Sequence, residues 1–265
     1  MKKAAFYTLG CKVNQYETEA MAELFADSGY EIKEFTEVAD VYVINTCSVT
    51  NMGDRKSRQI IRRAKKLNPN AVIAVTGCYA QTAPDEVLAI EGVNLVLGTK
   101  DRKNIVTLVE ELNTESNINH VSDIMSNHEF EELQIKQYSN RTRAFIKIQE
   151  GCNQFCSYCI IPYARGPVRS RAKDDVVREI KELAHNGFKE IILVGIHVAS
   201  YGVDLGDTTL ESLIMDVDKI DGVERIRLSS IEPMTLNQEF IDSIKDSKKL
   251  CHHFHISLQS GCDET

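Results

Sequence analysis

Short, nearly continuous apolar runs alternate with helix-patterned stretches along residues 1–112, and that alternation leaves few folds open. Residues 4–8, 41–45, 71–76 and 94–97 read as strands; residues 17–28, 55–67, 84–90 and 102–112 read as helices. Gly29 closes the first helix, the second stops before Pro69, and Pro84 suits the first turn of the third. A strand apolar on both sides must be covered on both faces, which predicts a parallel sheet between layers of helix. Residues 113–137, polar and weakly periodic, read as an acidic linker with one strand near 120–122. A second series follows over residues 138–265, with strands at 144–149, 190–195, 224–230 and 254–258 and helices at 174–186, 209–220 and 237–245. Four such units predict a β/α barrel, expected to be partial because the series stops after its fourth strand.

The eight cysteines are distributed in a way that follows this pattern. Cys11, Cys47 and Cys78 each come directly after a predicted strand. Parallel strands end at one edge of their sheet, where ligand sites of α/β proteins lie, so three thiols distant in sequence are expected to converge. Gly10 and Gly77 let the backbone turn closely there. Three buried free cysteines are the plainer reading, which explains one strand-end cysteine well and three poorly. Cys152, Cys156 and Cys159 form a C-x3-C-x2-C loop after the strand at 144–149. Three thiolates hold three corners of an iron–sulfur cubane and leave one iron open; structural zinc, the alternative, usually takes four ligands, and no fourth Cys or His is near in sequence. Cys251 and Cys262 lack such a setting and read as free thiols.

No apolar run approaches the ~18–20 residues that span a bilayer, and the first apolar stretch is too short for a signal peptide. A cytoplasmic protein with no membrane partner is expected, in which metal or cluster ligation is a better use of cysteine than disulfides. Net charge is −8, yet residues 104–135 carry seven acidic side chains and no Lys or Arg, leaving the rest near neutral. Basic residues gather on the helix at 55–67 (Arg55, Lys56, Arg58, Arg62, Arg63, Lys65, Lys66) and around the bunched cysteines (Arg141, Arg143, Lys147, Arg165, Arg169, Arg171, Lys173). Either group could face phosphate; a solvated helix face serves equally for the first.

The C-x3-C-x2-C loop after the first strand of a β/α series resembles the radical S-adenosylmethionine superfamily. Gly10-Cys11-Lys12-Val13-Asn14-Gln15, Asn45-Thr46-Cys47 and Gly77-Cys78-Tyr79-Ala80 narrow the resemblance to the methylthiotransferases, as do Ile161-Pro162-Tyr163-Ala164-Arg165-Gly166, Arg169-Ser170-Arg171, Ser229-Ser230-Ile231-Glu232-Pro233 and Leu258-Gln259-Ser260-Gly261. The Gly-Cys-Lys-Val-Asn-Gln form is similar to the branch acting on threonylcarbamoyladenosine of tRNA, rather than those acting on isopentenyladenosine or on a ribosomal protein. Ser257, Cys262 and the Ala199-Ser200 pair depart from the usual pattern. The resemblance implies a flavodoxin-like first domain over residues 1–112, a truncated radical core over 138–265, and a C-terminal RNA-binding β-domain that this chain lacks.

It also implies two 4Fe–4S clusters. One sits on Cys152, Cys156 and Cys159 and cleaves S-adenosylmethionine to a 5′-deoxyadenosyl radical; the other, on Cys11, Cys47 and Cys78, supplies or carries sulfur. The substrate is then the adenosine at position 37 in the anticodon loop, methylthiolated at C2, with an electron donor such as flavodoxin or ferredoxin. Phe155 and Tyr158 would pack on the cluster or on adenine; Glu232, Gln259 and Arg169 would contact S-adenosylmethionine; Asn14 and Asn45 would organise the auxiliary-cluster loops. A non-catalytic cluster- or zinc-binding RNA module is the competing class, which would bind RNA without cleaving S-adenosylmethionine.

Overall fold

A computed structural model describes residues 1–49, 51–112, 117–135 and 143–264. The chain divides into two units, Met1–Ile135 with Asn153–Pro167, and Lys136–Cys152 with Val168–Thr265.

The first unit is built on β1 (Lys3–Thr8), β2 (Glu31–Lys33), β3 (Val41–Thr46), β4 (Val72–Gly77), β5 (Leu95–Leu97) and β6 (Ile118–His120), all parallel in the order β2-β1-β3-β4-β5-β6. Its first five strands follow the flavodoxin-like order, whose reversal falls between β1 and β3. Every residue of β3 is buried, and its side chains alternate between two cores as the two-residue period of a strand requires. Tyr42 and Ile44 join Ala5, Ile73 and Val75 against Ile60, Ile61 and Ala64 of α2 (Asn51–Leu67). Val41 and Val43 join Ala4 and Ala74 against Met21 and Phe25 of α1 (Lys12–Asp27) and Ile105 and Val109 of α5 (Ile105–Glu110). Two short helices, α3 (Cys78–Thr82) and α4 (Pro84–Leu88), connect β4 to β5.

Residues 117–135 differ from the linker expected of them. β6 pairs with β5 from Leu95↔Ile118 to Leu97↔His120, and Ile124, Leu133 and Ile135 are buried. Glu131, read as part of the acidic linker, accepts a 2.8 Å hydrogen bond from buried Arg102. The remainder of that segment, Glu115 included, lies outside the described residues, as does Arg141 of the second basic cluster. Helix α1 begins five residues before the expected start, with Cys11 at its N-cap position three residues after β1 ends.

In the second unit, β7 (Arg143–Glu150), β9 (Glu190–Gly195) and β10 (Arg225–Leu228) are parallel, and the short β8 (Arg169–Ser170) adds antiparallel to β7. Helices α7 (Lys173–His185), α8 (Leu210–Asp218) and α9 (Gln238–Ile244) follow in the alternation the sequence predicts. Helix α7 buries Val176, Ile180 and Leu183, and α8 buries Leu213, Ile214 and Val217. Thr209 caps α8 through a reciprocal pair with Ser212. The expected strand at 254–258 is reduced to one bridge, Ile231↔Ile256. Its side chains do not bury: Ile256 is 44% and Leu258 68% exposed, so nothing holds the segment flat. The helix α6 (Ile161–Arg165), after the bunched cysteines, belongs to the first unit. Among the described residues no helix is long and apolar enough to cross a membrane.

Candidate iron–sulfur sites

The three spaced cysteines stand at the carboxyl ends of β1, β3 and β4, which are neighbours in the sheet. Cys11 precedes the first turn of α1, Cys47 follows β3, and Cys78 opens α3. Close backbone approach is required at two points. A Cβ on Gly10 (φ +103°) would lie 2.9 Å from Cys47 Cβ and 3.0 Å from its Sγ; one on Gly77 (φ +96°) would lie 2.4 Å from Asn45 Oδ1 and from the Thr46 carbonyl oxygen. Glycine is the residue that occupies both the positive φ and the space.

Side-chain hydrogen bonds tie the three strand ends together. Asn14 Nδ2 donates to the carbonyls of Leu9 (2.7 Å) and Thr46 (2.9 Å), bridging the Cys11 and Cys47 loops. Asn45 Nδ2 donates to the Asn14 carbonyl at 3.0 Å. Thr46 Oγ1 donates to the Thr76 carbonyl at 2.6 Å, reaching β4. Both asparagines are therefore structural ties of these loops. The cysteines form no disulfide among the described residues. Burial pushes the Cys78 thiol up to about 11 against the opposing pull of the Arg165 guanidinium, and burial likewise raises Cys47. Cys78 is wholly buried, Cys47 partly and Cys11 exposed, so the set opens from the sheet toward solvent.

Beside these thiols lies a charged network that the cysteine motifs do not disclose. Arg165 Nε donates to Cys78 Sγ at 3.3 Å, and its terminal nitrogens donate to Glu17 Oε1 (2.6 Å), Glu17 Oε2 (3.1 Å) and Asn14 Oδ1 (2.5 Å). Glu17 also pairs with Arg102 at 2.6 Å, and Arg102 with Glu131 at 2.8 Å. Glu17 lies one turn beyond Asn14 on α1, the spacing that puts both on one face; that spacing is the signal of the network that the sequence carries.

The C-x3-C-x2-C loop is tight and outward-facing. Cys159 N donates to the Cys156 carbonyl at 2.9 Å, and Phe155 takes φ +47°. Phe155 and Tyr158 are 48% and 73% exposed, the former edge-on to Tyr163 with centroids 5.9 Å apart. Both rings thus present much of their surface to solvent. Cys152 stands just past the end of β7.

At the carboxyl ends of the second unit's strands, His197 Nε2 lies 3.1 Å from Glu232 Oε2, and its Nδ1 lies 2.7 Å from Ser200 Oγ. Gln149 Oε1 accepts from His197 N at 2.8 Å. Lys147 pairs with Glu150 at 3.1 Å, and Arg169 lies 3.7 Å from the same carboxylate, all three buried. Arg171 is buried against Glu179. This corrects the reading of the second basic cluster: Lys147, Arg165, Arg169 and Arg171 neutralise buried carboxylates instead of facing phosphate, because each buried glutamate needs a counter-charge away from water. Arg55, Lys56, Arg62, Arg63 and Lys66 belong to α2 and are exposed, as expected of that helix. Gln259 is exposed, its side chain reaching the Ser257 carbonyl at 3.4 Å.

Residues 3–98 match the family described as uncharacterized protein family UPF0004, and residues 146–265 match the radical SAM superfamily. Over 98% of its length the chain is 51% identical to a threonylcarbamoyladenosine tRNA methylthiotransferase, MtaB, of Bacillus subtilis, covering 58% of that protein; it is 44% identical to the MtaB of Aquifex aeolicus, covering 63%. The chain belongs to the radical S-adenosylmethionine methylthiotransferase family. It spans about three-fifths of the length of these curated relatives. A family member from Thermoanaerobacter pseudethanolicus named as a tRNA-2-methylthio-N6-dimethylallyladenosine synthase is 37% identical over 97% of the chain. Among solved structures, the radical S-adenosylmethionine methyltransferase TsrM of Kitasatospora setae, with cobalamin and a 4Fe–4S cluster bound, aligns over 94% of this chain and 60% of its own, with TM-score 0.62 and 16% identity. That likeness confirms the α/β architecture.

The residues present fit iron–sulfur ligation. Three thiols at one sheet edge, backed by two glycines whose Cβ space is taken and by an N–H donor aimed at sulfur, make a cradle of suitable donor chemistry. Among the described residues no trio of His, Cys, Asp or Glu closes on a single metal ion. A cubane is wider than one ion, and its thiolates stand farther apart.

Proposed function

We propose that this chain is the catalytic part of a methylthiotransferase that adds a methylthio group to C2 of N6-threonylcarbamoyladenosine at position 37 of tRNA. The observation that carries this reading is the pair of thiol triads in one chain: Cys11, Cys47 and Cys78 at neighbouring strand ends, and Cys152, Cys156 and Cys159 in the loop after β7. The 51% identity to an enzyme named for threonylcarbamoyladenosine, against 37% to one named for dimethylallyladenosine, supports that nucleoside as substrate.

When bound, two 4Fe–4S clusters and S-adenosylmethionine would supply the radical chemistry, the sulfur and the methyl group that no acid–base side chain could provide at an aromatic C–H. The chain's own residues bind and orient. Cys152, Cys156 and Cys159 would hold the cluster that supplies the radical chemistry, and Cys11, Cys47 and Cys78 the auxiliary one. Buried thiols such as Cys78 must lose their protons on loading. Glu232, whose Oε2 lies 3.1 Å from His197 Nε2 at the strand ends, would receive a cationic or hydroxyl group of S-adenosylmethionine. Arg169, buried beside Glu150, would orient that carboxylate; Gln259, Phe155 and Tyr158, exposed in this structure, would contact cofactor or base from the surface. The open cation face of α2 suits RNA phosphate. An electron donor such as flavodoxin or ferredoxin and a cytoplasmic setting complete the reading.

Nucleoside mass spectrometry of tRNA from a strain deleted for this gene tests it. Loss of 2-methylthio-threonylcarbamoyladenosine, with unmethylthiolated threonylcarbamoyladenosine accumulating, is expected. An unchanged methylthio content would overturn the proposal, and loss confined to the dimethylallyladenosine derivative would move the substrate to the other branch.

A further inference from the structure

Arg165 is wholly buried, and its hydrogen bonds divide between the cysteine loops and one carboxylate. Nε donates to Cys78 Sγ at 3.3 Å, and NH2 to Asn14 Oδ1 at 2.5 Å. That asparagine in turn lies 3.7 Å from Cys11 Sγ and donates to the Thr46 carbonyl, directly before Cys47. One guanidinium therefore touches Cys78 and is one side chain removed from the loops of both other thiols. Glu17 grips it in the two-pronged geometry that suits arginine, with Oε1 at 2.6 Å and Oε2 at 3.1 Å. Glu17 is itself held by Arg102 at 2.6 Å, so the arginine is fixed from behind.

A cation that donates N–H to a ligating sulfur stabilises added negative charge on a cluster, and hydrogen bonds to sulfur are among the determinants of cluster potential. Arg165 also lies six residues after Cys159, on the helix that follows the other thiol loop. Thr99 Oγ1 anchors the same helix through the Ala164 carbonyl at 2.7 Å.

We propose that Arg165 is the positioning residue of the auxiliary cluster: it holds the Cys78 thiolate through Nε, braces the Cys11 and Cys47 loops through Asn14, and raises the reduction potential of the cluster they carry. This rests on the reading that Cys11, Cys47 and Cys78 ligate a cluster. Glu17 is then the partner that limits the effect, because its carboxylate offsets the guanidinium charge. The two residues are opposite in sign, so their removal shifts the potential in opposite directions.

The test uses the full chain carrying Cys152→Ala, Cys156→Ala and Cys159→Ala, so that only the auxiliary cluster is loaded. After anaerobic reconstitution, iron and sulfide are measured, and the potential is read by redox titration followed by electron paramagnetic resonance. Arg165→Gln is expected to lower the potential, Arg165→Lys to lower it less, and Glu17→Gln to raise it. Circular dichroism reports folding; if Arg165→Gln does not fold, Arg165→Lys and Glu17→Gln carry the test. Potentials that stay at the parent value in the clusters that do load, whatever the loss of iron, would overturn the proposal and leave Arg165 a packing residue. A parent that loads no iron–sulfur cluster would instead overturn the assignment of the triad itself.

Discussion

Cys11, Cys47 and Cys78 are separated by 36 and 31 residues and are brought to one sheet edge by three strands, whereas Cys152, Cys156 and Cys159 share a single loop. Assembly of the first set depends on the whole sheet: the pairing of β3 with both β1 and β4, the two cores that cover it, and the asparagine and threonine ties between loops. The loop set instead draws its three thiols from eight consecutive residues, with Cys159 N donating to the Cys156 carbonyl at 2.9 Å and Phe155 at φ +47°. Equal donor sets thus differ in what sustains them, and a defect far from sulfur should injure one and spare the other.

The largest effects should come from the thiols themselves. Cys156→Ala should abolish 5′-deoxyadenosine formation and, with it, all modification of tRNA. Cys47→Ala should leave 5′-deoxyadenosine detectable while methylthiolated product disappears. Each variant should hold about four of the roughly eight irons of the fully loaded chain. Full iron retention in either would break the comparison at its root.

Next in size is a substitution in the sheet. Ile44, buried on β3, packs in the core that includes Ile61, Ile73 and Val75. Ile44→Ala should destabilise the first unit by ~2–5 kcal/mol, measured by urea unfolding. It should reduce loading of the strand-end triad before that of the loop triad, measured in chains where one triad is removed at a time. Equal losses at both would show that the loop set leans on the sheet as heavily as the strand-end set does.

Gly77→Ala should be milder, costing about 1–3 kcal/mol for a side chain at φ +96° that also meets Asn45 and Thr46. Its iron loss should be confined to the strand-end triad. The smallest effect expected is that of Glu232→Gln, which keeps shape and removes charge beside His197. It should raise the KM for S-adenosylmethionine roughly tenfold, the ratio that ~1.4 kcal/mol represents, with cluster content unchanged. A fall in iron instead would make Glu232 part of the framework.

Much of the fold is legible in the amino-acid sequence itself. The apolar runs of β3 and β4 announce a sheet buried on both faces, and a cysteine after each strand reaches a common edge through parallel topology. The segment at 254–258 misleads because a short apolar run looks the same whether or not a neighbour covers it, and Ile256 and Leu258 remain exposed. Residues 117–135 mislead in the opposite sense. Glu131 reads as one acid of a linker, yet Arg102, 29 positions away, meets it in the folded chain. The buried arginines share that cause: composition registers a charge, while its counter-charge is set by tertiary contact, as between Arg165 and Glu17. Composition therefore overstates the positive surface near the bunched cysteines.

Residues 153–167 belong to the first unit while the residues on either side belong to the second, so the polypeptide passes from one unit to the other three times. No single cut yields either unit whole. A recombination point between codons 135 and 136 would hand the strand-end cysteines to a new host without Arg165, while Glu17 would travel with Arg102. The two parts cannot be traded as separate cassettes, and this stretch of gene is inherited as one piece or fails as one.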